Sequence, residues 1–117
     1  MAQDIVLRIV DRSGDESLSR REIITTASET ASVIHPAFSL VSGVKKAVSL
    51  GAVVTANTVI VDLVSGTPTI LKLYKDVTNY VQFKELAALV GASGITALYL
   101  EANANCVVWV YIAGATS

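Results

Sequence analysis

The sequence predicts an all-β chain, a single-domain antiparallel β-sandwich, jelly-roll-like, with an N-terminal arm and room for one short helix near 83–91. Three observations predict it. Short β-branched and aromatic runs recur with turn signals about every 8 to 12 residues, the spacing of a sandwich or small barrel. Those signals carry Gly, Pro, Asn and Asp, as in Ser65-Gly66-Thr67-Pro68 and Ala102-Asn103-Ala104-Asn105. And the last run, Cys106-Val107-Val108-Trp109-Val110-Tyr111-Ile112-Ala113, is apolar at every position, so both of its faces want cover.

Taken in order, Ile5, Leu7 and Ile9 alternate with Val6, Arg8 and Val10, a first strand that ends at Asp11-Arg12-Ser13-Gly14-Asp15. Residues 11–36 carry Arg12, Asp15, Glu16, Arg20, Arg21, Glu22 and Glu29 among many Ser and Thr. That stretch buries little by itself and reads as an arm, so the chain divides into 1–36, strand and polar arm, and 37–117, the sandwich. Ile34-His35-Pro36 reads as an extended stop before the denser half. A strand lies between Gly43 and Gly51. Residues 58–64 and 69–75 read as a hairpin across Ser65-Gly66-Thr67-Pro68, with Val59, Val61, Leu63, Leu71 and Leu73 toward the core and Asp62 and Lys72 away from it. Residues 76–91 fit a strand followed by a short helix, because Phe83, Leu86, Ala87 and Val90 also sit at helical spacing. Residues 95–101 are expected to pair with 106–113 across the two asparagines.

Composition narrows the function. The 117 residues suit one domain, 52% of them are hydrophobic and 16% charged, and the formal charge of -1 gives no footprint for phosphate, so nucleic acid is not expected as a partner. A positive mean hydropathy with so few charges leans toward an assembled state. The single cysteine excludes an intrachain disulfide. No basic segment followed by a long apolar one opens the chain, and no run approaches the ~18 apolar residues of a membrane helix, so the expectation is cytoplasmic synthesis with no membrane span.

No set of residues identifies a reaction, and no catalytic residue, cofactor or metal is expected. His35 and Cys106 are the sole members of their kinds, but a cysteine heading an apolar strand is ordinarily an inert core residue. Glu101, Asn103 and Asn105 offer three oxygens for calcium, and asparagines in a turn are expected on conformational grounds alone. Gly91-Ala92-Ser93-Gly94 lacks the lysine and the strand-loop-helix order of a phosphate loop. Lys45-Lys46 reads as a solvated strand edge, and Asp62, Asp76, Glu85 and Glu101 have no spacing that forces convergence.

Association is better supported. Val108, Val110 and Ile112 share one face of the last strand and suit the chain's own core, while Val107, Trp109 and Tyr111 on the other are types enriched at interface centres. Burying roughly 250 Å² there stabilises an assembly by about 6 kcal/mol at ~25 cal/mol/Å², before association costs. Arg20 and Arg21 are expected to form ion pairs, the arm docking on a neighbour. The alternative is a second core layer beneath the arm or helix.

The strand-turn-strand Thr58-Val59-Ile60-Val61-Asp62-Leu63-Val64-Ser65-Gly66-Thr67 and the closing Gly94-Ile95-Thr96-Ala97-Leu98-Tyr99-Leu100 with Val107-Val108-Trp109-Val110-Tyr111-Ile112 resemble the small β-sandwich virion structural proteins of tailed bacteriophages. The resemblance covers roughly residues 44–114 and leaves out the arm. It implies a bacteriophage capsid decoration, cement or tail-associated subunit, a homo-oligomer or part of a larger virion lattice, without enzymatic activity. The competing expectation is a monomeric β-sandwich binding module for a small ligand or protein.

Overall fold

Eight strands of this chain pair as a nest. In the computed structural model, which describes residues 3–9, 21–27 and 31–116 and the side chains of 31–89 and 94–116, β3 (Ala31–Leu40) is antiparallel to β10 (Cys106–Ala115). Inside that pair β4 (Lys46–Val48) joins β9 (Leu98–Ala102), then β5 (Thr55–Gly66) joins β8 (Leu86–Ile95), and innermost β6 (Leu71–Tyr74) joins β7 (Tyr80–Phe83). Alternate pairs go to alternate sheets, giving β3-β10-β5-β8 and β4-β9-β6-β7. One long folded ribbon wrapped around a core produces this order, and it is the jelly roll. No helix occurs among the described residues, which are all β. Ahead of the roll, β1 (Gln3–Ile9) and β2 (Arg21–Ala27) form a separate two-stranded antiparallel sheet, and the backbone of β2 comes near β8.

The core lies between the two four-stranded sheets, as the alternation predicts. Val59 and Val61 of β5, Leu71 and Leu73 of β6, and Val108, Val110 and Ile112 of β10 are all buried. Their outward neighbours Asp62, Lys72 and Trp109 are not. Two glycines are fixed by this geometry. At Gly66 φ is +103° and an added Cβ would lie 2.7 Å from the Asn105 carbonyl oxygen; at Gly114 it would collide with the Thr55 carbonyl oxygen.

Three sequence expectations are corrected. Residues 58–64 and 69–75 are not a hairpin, because β5 and β6 lie in opposite sheets and the chain between them arches over the end of the sandwich. Residues 95–101 and 106–113 do not pair either, since β9 and β10 also lie in opposite sheets. An arch and a hairpin use the same turn residues and the same alternation, so the pattern is blind to the difference. The short helix near 83–91 is replaced by β8: Ala87 faces the core at 8% exposure while Leu86 faces outward at 54%. An outward leucine on an edge strand put apolar residues on both faces and imitated helical spacing.

The polar arm also differs from its expected form. Arg21–Ala27 is a strand, and β3 begins at Ala31, so residues 31–36 make the first half of a sandwich strand. The strand runs through Pro36 because β3 is an edge, where a missing N–H costs no ladder bond, and because the register with β10 shifts there. Phe38 pairs with Val108 and His35 with Val110, leaving Pro36 and Ala37 both opposite Trp109.

Candidate functional site

The alternation that buries Val108, Val110 and Ile112 turns Val107, Trp109 and Tyr111 to the outer surface of the first sheet, where all three are half-buried. Trp109 and Tyr111 stack, with ring centroids 6.2 Å apart and planes 8° from parallel. Register builds the surround. Tyr111 is flanked by Ile34 on β3 and Ile60 on β5, and Ile60 in turn by Ala88 on β8; Trp109 is opposite Asp62, and Asp62 opposite Leu86. Ile34 and Leu86 stand 52% and 54% exposed at the two edges of this strip. Val64, the extra residue at a bulge between β5 and β10, adds a third exposed apolar side chain. Across β3, β10, β5 and β8 the only Asp, Glu, Lys or Arg is Asp62.

The second sheet presents the opposite chemistry. Tyr99, Tyr74 and Tyr80 are neighbours in register across β9, β6 and β7, and in the next row Glu101, Lys72 and Gln82 are neighbours. The Tyr74 hydroxyl donates to Glu101 Oε1 at 3.0 Å, and burial together with that bond raises the phenol's pKa above its ordinary value. Lys45 Nζ stands 4.1 Å from the centre of the Tyr74 ring and donates to the Val77 carbonyl oxygen at 2.9 Å. Lys46 Nζ donates to the Ser39 carbonyl at 3.0 Å and lies over Phe38 at 4.5 Å. The basic pair does sit on the edge strand β4 and beside it, as read from sequence, but the fold supplies each lysine with an aromatic ring from another strand.

The other residues weighed for chemistry are held apart. Cys106 pairs with Leu40 and His35 with Val110, about 13 Å along the sheet at ~3.3 Å per residue. The thiol is buried and burial raises its pKa, which keeps it protonated, while His35 Nε2 donates to the Ser49 carbonyl at 2.8 Å. Asn103 Oδ1 accepts the Thr69 and Ile70 amides at 3.0 and 3.1 Å, and Asn105 Oδ1 accepts the Ser42 amide at 2.9 Å, so both amides serve as loop ties with their oxygens already engaged. Among the described residues no group of three or more His, Cys, Asp or Glu gathers as a metal centre would require. Asp62 lies on the first sheet's outer face, Asp76 in the β6–β7 turn, Glu85 ahead of β8 and Glu101 on the second sheet, so the carboxylates do not converge. Gly91, Ala92 and Ser93 fall within β8.

Of the interface residues read from the sequence, Val107, Trp109 and Tyr111 come together on one face. Arg20 lies outside the described residues, and Arg21 opens β2 opposite Ile9, its side chain outside the description. Ile34, Ile60 and Leu86, which complete the strip, were missed, because their partnership with β10 depends on a strand order that alternation does not encode. No family model, no curated protein and no solved structure matches this chain.

Proposed function

We propose that this chain is a non-enzymatic structural subunit that self-associates through the outer face of the β3-β10-β5-β8 sheet, and that it works as a bacteriophage virion component, a capsid decoration, cement or tail-associated protein. The observation that carries the reading is the stacked Trp109–Tyr111 pair on a sheet face with one charged residue and with Ile34 and Leu86 more than half exposed at its borders. Aromatic anchors ringed by aliphatic side chains form the energetic centres of protein interfaces, and large contiguous apolar patches on a protein surface mark interaction sites. The jelly roll supports the setting by analogy, since capsid proteins use this architecture, as do lectin domains and cupins.

Native mass in solution is the test. Sedimentation velocity at tens of micromolar gives an assembly larger than the 12.3 kDa chain, and Trp109→Lys gives a folded monomer with the wild-type circular dichroism spectrum. A wild-type monomer across that range, with no partner in the particle it comes from, overturns the reading. The monomeric binding module then stands in its place.

A further inference from the structure

The end of the roll where the 41–45, 67–70 and 103–105 connections meet holds a cleft of about 250 Å³, lined by Ser42, Gly43, Ile70, Lys72, Glu101, Ala102 and Asn103. Its frame is tied before any ligand arrives. Asn103 accepts the Thr69 and Ile70 amides, its Nδ2 donates to Thr69 Oγ1 at 2.7 Å, and its backbone N–H donates to the Ile70 carbonyl at 3.2 Å. Ser42 Oγ donates to the Asn103 carbonyl at 3.0 Å, and the Gly43 N–H to the Ala102 carbonyl at 2.8 Å. Three loops are thus fixed to one another, and a ligand entering between them orders little.

The walls and the rim differ in chemistry. Ile70, 36% exposed, gives an apolar wall beside Gly43, while Lys72 and Glu101, opposite each other on β6 and β9, stand on the rim. Among the described residues these two form no ion pair. Lys72 Nζ is drawn over the Tyr80 ring at 4.7 Å, and Glu101 Oε1 takes the Tyr74 hydroxyl. One cationic donor and one anionic acceptor are therefore left side by side with no net charge between them. A bare anion gains from Lys72 but is repelled by Glu101, and a bare cation meets the reverse.

We infer that this cleft binds a neutral, hydroxyl-rich ring, a single pyranose unit of a saccharide. Adjacent hydroxyls both donate and accept, so a vicinal pair bridges Glu101 and Lys72 while the C–H face of the ring lies on Ile70. The volume lies just below the ~300 Å³ at which drug-sized ligand sites begin, which limits the buried part to one ring. The cleft opens on the second sheet's side, away from Trp109, so the outcome here is independent of the association proposal.

The test is a titration of the isotope-labelled full chain, followed by amide correlation spectra, with the methyl glycosides of glucose, galactose, mannose and N-acetylglucosamine. Inorganic phosphate and glycine betaine serve as anionic and zwitterionic comparisons. At least one glycoside is expected to shift the Gly43, Ile70, Ala102 and Asn103 amides saturably, with a Kd in the millimolar range, and Glu101→Gln and Lys72→Met each to weaken it roughly tenfold. The proposal fails if no glycoside moves those amides, if phosphate or betaine moves them at lower concentration, or if both variants bind sugar as the wild type does. Glu101→Gln keeps an acceptor for Tyr74, so folding survives the substitution.

Discussion

The two sheets of this jelly roll have equivalent inner faces and opposite outer ones. Both bury aliphatic residues at alternate positions, yet the first sheet carries one charged residue across four strands, while all five lysines lie in the second sheet or beside its strands. On the second sheet four of the charges have partners: Lys45 and Lys46 cover aromatic rings and donate to carbonyls, Lys72 covers Tyr80, and Glu101 accepts a phenol. Such a face is complete in water. The first sheet offers Trp109, Tyr111, Ile34, Ile60 and Leu86 with Asp62 alone among them, and water is a poor partner for it. The difference teaches that the partition of charge between faces, not the total, separates a contact surface from a solvated one.

The sharpest way to break the comparison is on β10 itself, where adjacent residues face opposite ways. Val110 is 1% exposed in the core, so Val110→Lys buries a charge with no partner and is expected to cost on the order of 4 kcal/mol or more, enough to unfold the domain at room temperature. Trp109→Lys is expected to leave the circular dichroism spectrum intact and to abolish association, a loss of at least about 2 kcal/mol in assembly free energy by sedimentation. Equal unfolding by both would mean that Trp109 belongs to a core, and the two outer faces would no longer be different in kind.

A smaller effect is expected at the arches. Asn103 joins the arch between β9 and β10 to the arch between β5 and β6, and Asn103→Ala leaves the Thr69 and Ile70 amides without their side-chain acceptor. Water replaces part of what is lost, so the expected cost is about 1 kcal/mol, read by chemical denaturation, with faster hydrogen exchange confined to those amides. Faster exchange throughout the first sheet would show that the arch holds the whole roll rather than its end.

These residues also mark how far the sequence was legible. The inward positions of β5, β6 and β10 follow directly from period-two alternation, because burial is what the pattern records. Which strand lies beside which does not follow, since this jelly roll places consecutive strands from β3 to β10, β6 and β7 excepted, in opposite sheets and joins them by turns that look like hairpins. Asn103 was visible as a turn residue, but its bond to Ile70, across 33 positions, exists only after the ribbon has wrapped. The same holds for both sheet faces. Trp109 and Tyr111 were legible because one strand carries them, whereas Ile34, Leu86 and the row Tyr99, Tyr74 and Tyr80 are assembled from several strands.

The least of the expected effects separates the two sheets by pH. In the turn between β6 and β7, Asp76 Oδ1 accepts the amides of Thr78 and Asn79 at 2.8 and 2.7 Å and Oδ2 accepts Asn79 Nδ2 at 2.8 Å. These bonds, those from Asn79 foremost, hold the carboxyl well below the ordinary carboxylate range. A carboxyl whose pKa is depressed by folding stabilises the native state fully above its unfolded value, about pH 4, and that contribution is lost as the pH falls toward the folded value. Asp76→Ala should therefore melt slightly below the wild type at pH 7, with the gap narrowing as both are acidified below about pH 4. Amide exchange at Thr78 and Asn79 should quicken in the variant at neutral pH while the amides of Val59 and Val110, in the first sheet, stay as they are. A gap in melting temperature that stays constant from pH 7 to pH 2 would mean that the turn gains nothing from the charge of Asp76 and only its shape matters.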